Sequence, residues 1–199
     1  MKLFLSVLFI FCFVTYGCNI VNSGPNPSSQ AAALKKYQQS LDASLNDLAK
    51  IKLLSEAIQI VNSYWVAYHD RAKIYVKTGR LNEAERDYTK AIDYAPENHK
   101  PRYHFIRGRF YQEHKKDLES AEKDYTLACT LPDKDYDDKL PFYFAQRGIM
   151  YQDMKKKDLA IKDYNSALQR IGDSTDRDLI ILKEDIQKRF SEIYTSFEQ

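Results

Sequence analysis

Small and aromatic residues recur at spacings of three and four along the middle of the chain, a period that places them on one face of an α-helix. The pattern predicts helices whose small residues let a partner helix approach closely while the aromatic ring fills the remaining gap. Three such sets occur, namely Ala84, Tyr88 and Ala91, then Ala121, Tyr125 and Ala128, then Ala160, Tyr164 and Ala167.

Each of these helices is preceded by a second motif, so the unit of repetition is a pair of helices. The motif is an arginine, a small residue, two further residues and a tyrosine, and it begins at Arg71, Arg107 and Arg147. The first alanines of the second helices lie 37 and then 39 residues apart, and the excess over a standard period of about 34 falls in turns. One extra residue enters before Ala121, and more enter the loop from Pro132 to Leu140. Because one helical hairpin cannot bury its apolar face alone, the pairs are expected to stack.

Helical patterns on both sides of the repeats predict elements that close the ends of the stack. Upstream, Leu41–Val61 has a helical period, and Ala57 stands 34 residues before its counterpart in the first full repeat, in register with a degenerate second helix. Downstream, Asp173 or Ser174 is expected to cap a helix from about Asp176 to Phe197. The apolar stripe of this helix consists of Leu179, Leu182, Ile186, Phe190, Ile193 and Phe197.

The recurring positions resemble the signature of the tetratricopeptide repeat family, which is aromatic, small, aromatic on the first helix and small, aromatic, small on the second. Tyr68, His104 and Phe144 occupy the first aromatic place, and Pro96 matches the terminal proline. The resemblance covers about Tyr64 to Ile171 and implies an all-α fold, a right-handed superhelical stack of antiparallel helix pairs with three such repeats and flanking capping helices. The implied divisions are a helical N-terminal cap or degenerate repeat at 31–63, repeats at 64–98, 101–133 and 140–172, and a C-terminal capping helix at 174–199.

The first residues have the features of an export signal. A basic residue precedes the apolar run Leu3–Val14, which is shorter than the roughly 20 residues that a membrane-spanning helix needs. The Gly-Cys pair that ends at Cys18 resembles a bacterial lipobox, which implies removal of a signal peptide at 1–17 and lipidation of the cysteine. The alternatives are an ordinary secretory signal that leaves a thiol, or an uncleaved anchor. Residues 18–30 would be the lipidated cysteine and a flexible polar linker, with the folded part beginning near Ala31.

Composition and charge exclude several classes of function. The chain is 44% hydrophobic and 29% charged, with 6 Gly and 6 Pro among 199 residues, which is typical of a globular helical protein. A formal net charge of +2 gives no electrostatic case for a nucleic-acid partner. The sequence contains no nucleophile–base constellation, phosphate-cradling glycine loop or paired metal-ligand motif, so we expect no catalytic residues, no cofactor, no metal and no small-molecule substrate. Cys129, the last cysteine after processing, is expected to pack in the core as a small apolar residue.

Charged residues repeat together with the helices. The arginine of each first helix is expected to pair with an aspartate of the second, because repetition in every unit argues for packing rather than for a ligand site. The expected partners are Asp87, Asp124 and Asp163. Lysine runs at 115–116 and 155–157 fall in the turns between paired helices, where solvation is expected and contact with a membrane surface is the alternative.

In the resembling family the ligand lies in a concave groove lined by the first helices. Carried over position by position, the resemblance implies a protein-binding groove formed by His69, Lys73, Lys77, Arg102, Phe105, Arg109, Gln112, Phe142, Gln146, Ile149 and Gln152. The first two units bring five cationic side chains beside Phe105, which suits an extended peptide or a helix that bears carboxylates. The lysine–asparagine pattern of the family's carboxylate clamp is missing, so that particular activity is not implied. The alternative is that these positions are only solvated.

Together these patterns predict a non-enzymatic, membrane-anchored lipoprotein that acts as a protein–protein interaction adaptor or scaffold in the bacterial cell envelope. Its partners would be a protein or peptide segment in the groove and a membrane through the lipid anchor. After export across the inner membrane it would be held at the outer membrane or cell surface, facing the periplasm or the exterior. The alternatives are a pilotin or assembly factor for an outer-membrane or secretion/pilus complex, and an enzyme with an unrecognised site in the groove.

Overall fold

The computed structural model describes residues 26–131 and 137–195, and within these ranges the chain forms nine α-helices and no strand. Consecutive helices pack as antiparallel pairs, and each pair stacks on the next, which confirms the predicted all-α fold class. The helices are α1 Pro27–Ser40, α2 Asp47–Ile60, α3 Trp65–Lys77, α4 Leu81–Tyr94, α5 Lys100–Phe110, α6 Leu118–Thr130, α7 Leu140–Asp153, α8 Lys157–Ile171 and α9 Arg177–Thr195.

The core between paired helices is built from the predicted small and aromatic residues. Ala121 and Ala160 are fully buried, as are the rings of Tyr125 and Tyr164. A Cβ atom added to Gly108 would lie 2.8 Å from the ring of Tyr125, and one added to Gly148 would lie 2.7 Å from the ring of Tyr164. Contacts this short leave no room for a larger side chain, so the small residue before each tyrosine of the first helix lets the two helices approach.

The turns inside the three repeats share one geometry. In each turn a backbone N–H just after the first helix returns to the carbonyl of its motif tyrosine, as in the 2.8 Å bond from Arg80 to Tyr75. The residue in the left-handed conformation is Gly79 in the first repeat and Lys116 and Lys155 in the next two. The extra residue of the second repeat forms a π-helical turn over Tyr111–Lys115, which restores the register of α6.

The N-terminal boundary of the fold differs from the prediction. The linker expected at 18–30 ends earlier, because α1 already begins at Pro27. The side chain of Asn26 accepts a 2.8 Å hydrogen bond from the Ser29 backbone N–H, and proline suits the first position of a helix because no N–H is needed there. Residues 27–30 therefore belong to a helix and not to a linker.

The helix expected within Leu41–Val61 is present but starts later, because the segment before Asn46 is a turn. Asn46 caps α2 by accepting a 2.9 Å bond from the Ala49 backbone N–H. Helices α1 and α2 form an additional antiparallel pair before the first repeat. Ala57 and its neighbour Ile58 are buried, as the predicted register with the first repeat requires.

The C-terminal helix α9 packs on the last repeat through its apolar stripe. Ile186 and Ile193 are buried, while Leu179, Leu182 and Phe190 are partly buried against the same core, and Phe197 lies outside the described residues. The expected cap at Asp173 or Ser174 was wrong. Asp176 takes this role by accepting 2.9 and 3.2 Å bonds from the two backbone N–H groups that follow Arg177.

Two predicted features lie outside the described residues, namely the signal peptide at 1–17 and the lipidated Cys18. Among the helices within 26–131 and 137–195, none has the length and apolar character needed to cross a membrane.

Candidate functional site

The repeated arginines pair with aspartates inside each repeat, as predicted. The Nε atoms of Arg71, Arg107 and Arg147 each lie 2.7 Å from an aspartate oxygen, and a terminal guanidinium nitrogen donates to the other oxygen at 2.8 to 2.9 Å. The acceptors are Asp87, Asp124 and Asp163. Such bidentate arginine–carboxylate pairs fix the orientation of both side chains, and their burial places them in the packed interior.

Each of these arginines also reaches the preceding helix pair. The remaining guanidinium nitrogen donates to a hydroxyl oxygen, at 2.8 Å to Ser55, 2.9 Å to Thr89 and 3.2 Å to Thr126. One side chain thus connects three helices, its own, its partner and the second helix of the pair before. This arrangement holds the stack together and leaves the arginines no part in a ligand site.

Neighbouring repeats are joined by a second recurring contact. Glu85 accepts a 3.0 Å hydrogen bond from the Tyr111 hydroxyl and pairs with Lys115 at 3.0 Å. Glu122 makes the same two contacts one repeat later, with the hydroxyl of Tyr151 and with Lys156, each at 3.0 Å. Two lysines of the turn runs therefore stabilise the stack, whereas solvation alone was expected. Lys116 and Lys155, the two left-handed residues, are exposed.

His104, the weakest match to the repeat pattern, has a structural explanation. Its Nδ1 lies 2.8 Å from Asp124, the carboxylate that also binds Arg107. Burial alone would raise the pKa of Asp124, but the hydrogen bonds from the arginine and the histidine outweigh it and hold that pKa below its ordinary value of 3.8. The histidine is therefore part of a buried polar cluster and does not face the groove.

A cavity that brings several predicted groove residues together lies between the second and third repeats. Its volume is about 590 Å³, and its walls come from α5, α7 and α9. It brings together six of the residues predicted for the groove, namely Arg102, Phe105, Arg109, Phe142, Gln146 and Ile149. It also includes Lys139, which precedes α7, and Leu182 of α9.

A smaller hollow of about 340 Å³ continues the groove on the other side of α5. It contains His69 and Lys73, and it shares Arg102 and Arg109 with the larger cavity. Together the two hollows form a continuous surface along the first helices, and we refer to this surface as the groove. Predicted residues from all three repeats therefore lie along one face.

Three predicted groove residues have structural partners instead. Lys77 pairs at 2.9 Å with Asp47 on α2 and lines a separate hollow near the N-terminal pair. Gln112 and Gln152 accept 2.7 Å hydrogen bonds from the hydroxyls of the buried core tyrosines. The two glutamines therefore have a structural role, since a buried hydroxyl needs a hydrogen-bond partner.

The groove residues that the sequence did not indicate include two from outside the aligned first helices. Lys139 lies in the short 3₁₀ turn before α7, outside the aligned first helix. Leu182 belongs to the capping helix, and its predicted role was burial against the last repeat. Its position in the apolar stripe of α9 predicted contact with the third repeat. The spacing of that stripe did not indicate that Leu182 also lines one end of the groove.

Nearby carboxylates reduce the positive charge of the groove. Arg109 donates to Glu113 at 2.7 and 2.9 Å, and Lys139 lies 2.8 Å from Asp138. At the other end, Lys73 lies 4.0 Å from Asp70. The prediction of five cations therefore overstates the positive charge of the groove. The groove combines an apolar floor with a moderately cationic rim.

Residues 65–98, which comprise α3 and α4, match the family described as tetratricopeptide repeat. The α5–α6 and α7–α8 pairs reproduce the arginine–aspartate contacts and the small–aromatic core of this pair, so the three pairs repeat one structural unit. No curated protein matches the chain in sequence.

Solved structures with the same fold are known. The chain is similar to MamA, with 16% identity and a TM-score of 0.59 over 73% of this chain and 80% of that protein. It is also similar to pilF of Pseudomonas aeruginosa, with 20% identity and a TM-score of 0.61 over 83% of this chain and 70% of that one. At these identities the likeness shows the fold alone.

Two observations on the described residues concern metal ligands and the reactivity of the cysteine. Among these residues, no group of three or more histidine, cysteine, aspartate or glutamate side chains is placed to hold a metal ion. Burial raises the pKa of the Cys129 thiol to about 12, so the residue stays protonated and is a poor nucleophile. It is partly rather than fully buried. The tetratricopeptide fold supports a scaffold for protein–protein interaction.

Proposed function

We propose that this protein is a lipid-anchored adaptor of the bacterial cell envelope that binds a segment of a partner protein in the groove. The observation that carries the proposal is the apolar floor formed by Phe105, Phe142 and Ile149, which stays partly exposed between two repeats. Exposed apolar surface rimmed by polar groups marks interaction sites in soluble domains.

The rest of the repeat signature is already used for packing, which supports the groove as the binding surface. The arginines, aspartates and core tyrosines contact one another inside the stack. What varies between repeats is the outward face of α3, α5 and α7, where the groove lies. Variation on a rigid scaffold is how repeat proteins present a binding surface.

The position of α1 is compatible with an anchor at Cys18. The turn between α1 and α2 lies beside the end of α3, as the contact of Lys77 with Asp47 indicates. Pro27, at the other end of α1, therefore lies at the opposite edge of the stack. An anchor would hold that edge toward the membrane while the groove stays open to a partner.

The groove is tested by affinity capture from an envelope extract with the full chain as bait. The groove variant carries Arg102→Ala, Arg109→Ala and Phe142→Ala, and spares Phe105, whose ring stacks on Tyr143. We expect a partner retained by the wild type to be lost, with helical content by circular dichroism unchanged.

The matched control carries the same number of cationic and apolar substitutions on the second helices, namely Lys90→Ala, Lys123→Ala and Leu127→Ala. It should retain the partner. Retention of the same partners by the groove variant would show that the groove is not the binding surface.

The anchor is tested separately with radiolabelled palmitate. We expect label on the wild-type chain and none after Cys18→Ser, together with release of that variant from the membrane fraction. A wild-type chain without label would contradict the lipid anchor and leave the groove proposal standing.

A further inference from the structure

The floor of the larger cavity is formed by aromatic rings that pack on one another. The ring of Phe105 stacks on the buried ring of Tyr143 with centroids 4.6 Å apart and lies 5.8 Å from the ring of Tyr125. Phe142 and Ile149 extend this surface along α7, and Leu182 closes it. A preformed apolar pocket takes a bulky side chain without the entropy cost of ordering its own walls.

The rim of the same cavity is cationic. Arg102 and Arg109 stand on one side and Lys139 on the other, and the described residues that line the cavity include no aspartate or glutamate. An arginine offers a planar fork of donors that matches a carboxylate, and a lysine offers a point charge. The cavity is therefore complementary to an apolar group with acidic neighbours.

Two of the carboxylates that contact the rim from outside are exchangeable. Arg109 with Glu113 and Lys139 with Asp138 are pairs of exposed side chains at the surface. Exposed pairs of this kind contribute little to stability, because solvent screens them and both side chains lose freedom. A partner carboxylate can replace them at small cost, and burial at an interface strengthens the new contact.

We propose that the segment bound in the groove carries one bulky apolar side chain, aromatic or leucine, flanked by aspartate or glutamate. The apolar side chain lies on Phe142 and Ile149, and the carboxylates bind Arg102 and Lys139 on the two sides. The inference rests on the proposed function and adds the chemistry of the partner to it. It predicts a binding affinity that falls as salt concentration rises.

Selection from random nonapeptides displayed on phage, with the full chain as target, tests this inference. We expect a consensus with one aromatic residue or leucine and at least one adjacent acidic residue. A synthetic peptide of that consensus, measured by fluorescence anisotropy, should bind the Arg102→Glu/Lys139→Glu variant about tenfold more weakly or worse.

The matched control is Lys90→Glu/Lys123→Glu, which changes the charge equally at exposed, paired lysines outside the groove. Binding to it should stay within about twofold of the wild type. Equal helical content and equal urea midpoints of both variants and the wild type show that loss of binding is not loss of fold.

The remaining outcomes separate the inference from the proposed function. A consensus that is basic or uncharged, but whose binding is lost on Phe142→Ala, overturns the acidic partner and leaves the groove intact. No enriched peptide, or peptides unaffected by any groove substitution, overturns both. Binding of the chain to phosphatidylglycerol vesicles through Arg102 and Lys139, in competition with the peptide, would assign the rim to a lipid surface and overturn the inference.

Discussion

Arg107 connects the second repeat to its neighbour through one guanidinium group. It donates to both oxygens of Asp124, at 2.7 and 2.9 Å, and to the Thr89 hydroxyl at 2.9 Å. Because the aspartate is only 2% exposed, its charge depends on these partners and on His104. A buried charge with its partner removed is among the most destabilising defects in a folded protein.

We therefore expect Arg107→Ala to lower the free energy of unfolding by about 3–5 kcal/mol, since it leaves the Asp124 carboxylate buried without its main cation. Urea unfolding followed by circular dichroism measures the change. The control is Arg109→Ala, which breaks an exposed pair with Glu113 and should cost less than about 1 kcal/mol. Similar losses for both variants would contradict the assigned role.

The same cluster predicts a dependence of stability on pH. Since the folded-state pKa of Asp124 lies below the ordinary value of 3.8, its contribution is present at neutral pH and is lost as pH falls through the folded-state pKa. The urea midpoint should therefore decline below about pH 4. Direct titration of the carboxyl by NMR checks the assignment, and a pKa at or above the ordinary value would refute it.

Helix α9 acts as the cap of the stack. The position that holds Glu85 and Glu122 in the first two repeats holds Ile161 in the third, and that isoleucine packs in the same core cluster as α9. The last repeat therefore presents an apolar surface where the others present an acceptor for the next repeat. A terminal element that covers such a surface is required for a soluble stack.

For helix α9 we expect Ile186→Ala to lower the free energy of unfolding by about 2–5 kcal/mol, because Ile186 is fully buried and the change leaves a cavity. Ile181→Ala, on the same helix at 54% exposure, should change it by less than about 0.5 kcal/mol. Urea unfolding of both variants checks the pair. If the two effects were equal, α9 would not be packed as described.

Much of the element plan could be predicted from the sequence, because the small–aromatic spacing recurs in every repeat. The start of α1 and the capping residue of α9 were misassigned because caps depend on single polar side chains. Asn26 and Asp176 make the capping bonds, while other Asn, Asp and Ser residues nearby are equally suitable by type. The extra residue of the second repeat was recognised, but its π-helical form depends on how α6 must pack and could not be read from the sequence.

At the scale of the whole molecule, the groove was predicted in outline. Alignment located the outward residues of the first helices, and six of them line one cavity. Alignment could not reveal that Gln112 and Gln152 accept hydrogen bonds from core tyrosines, since outward-facing and inward-facing glutamines look the same in sequence. It also could not supply Lys139 or Leu182, which come from a turn and from the capping helix.

The central claim is that a partner segment lies in the groove between the second and third repeats. It is tested most directly by placing a photoreactive benzoylphenylalanine at Ile149 or Gln146 in the full chain and irradiating living cells that express it. The control position is Leu127 on α6, which is partly exposed but lies outside the groove. We expect a discrete cross-linked adduct from both groove positions, weakened by Arg102→Glu, and none from Leu127. An adduct from Leu127 with none from the groove would contradict it.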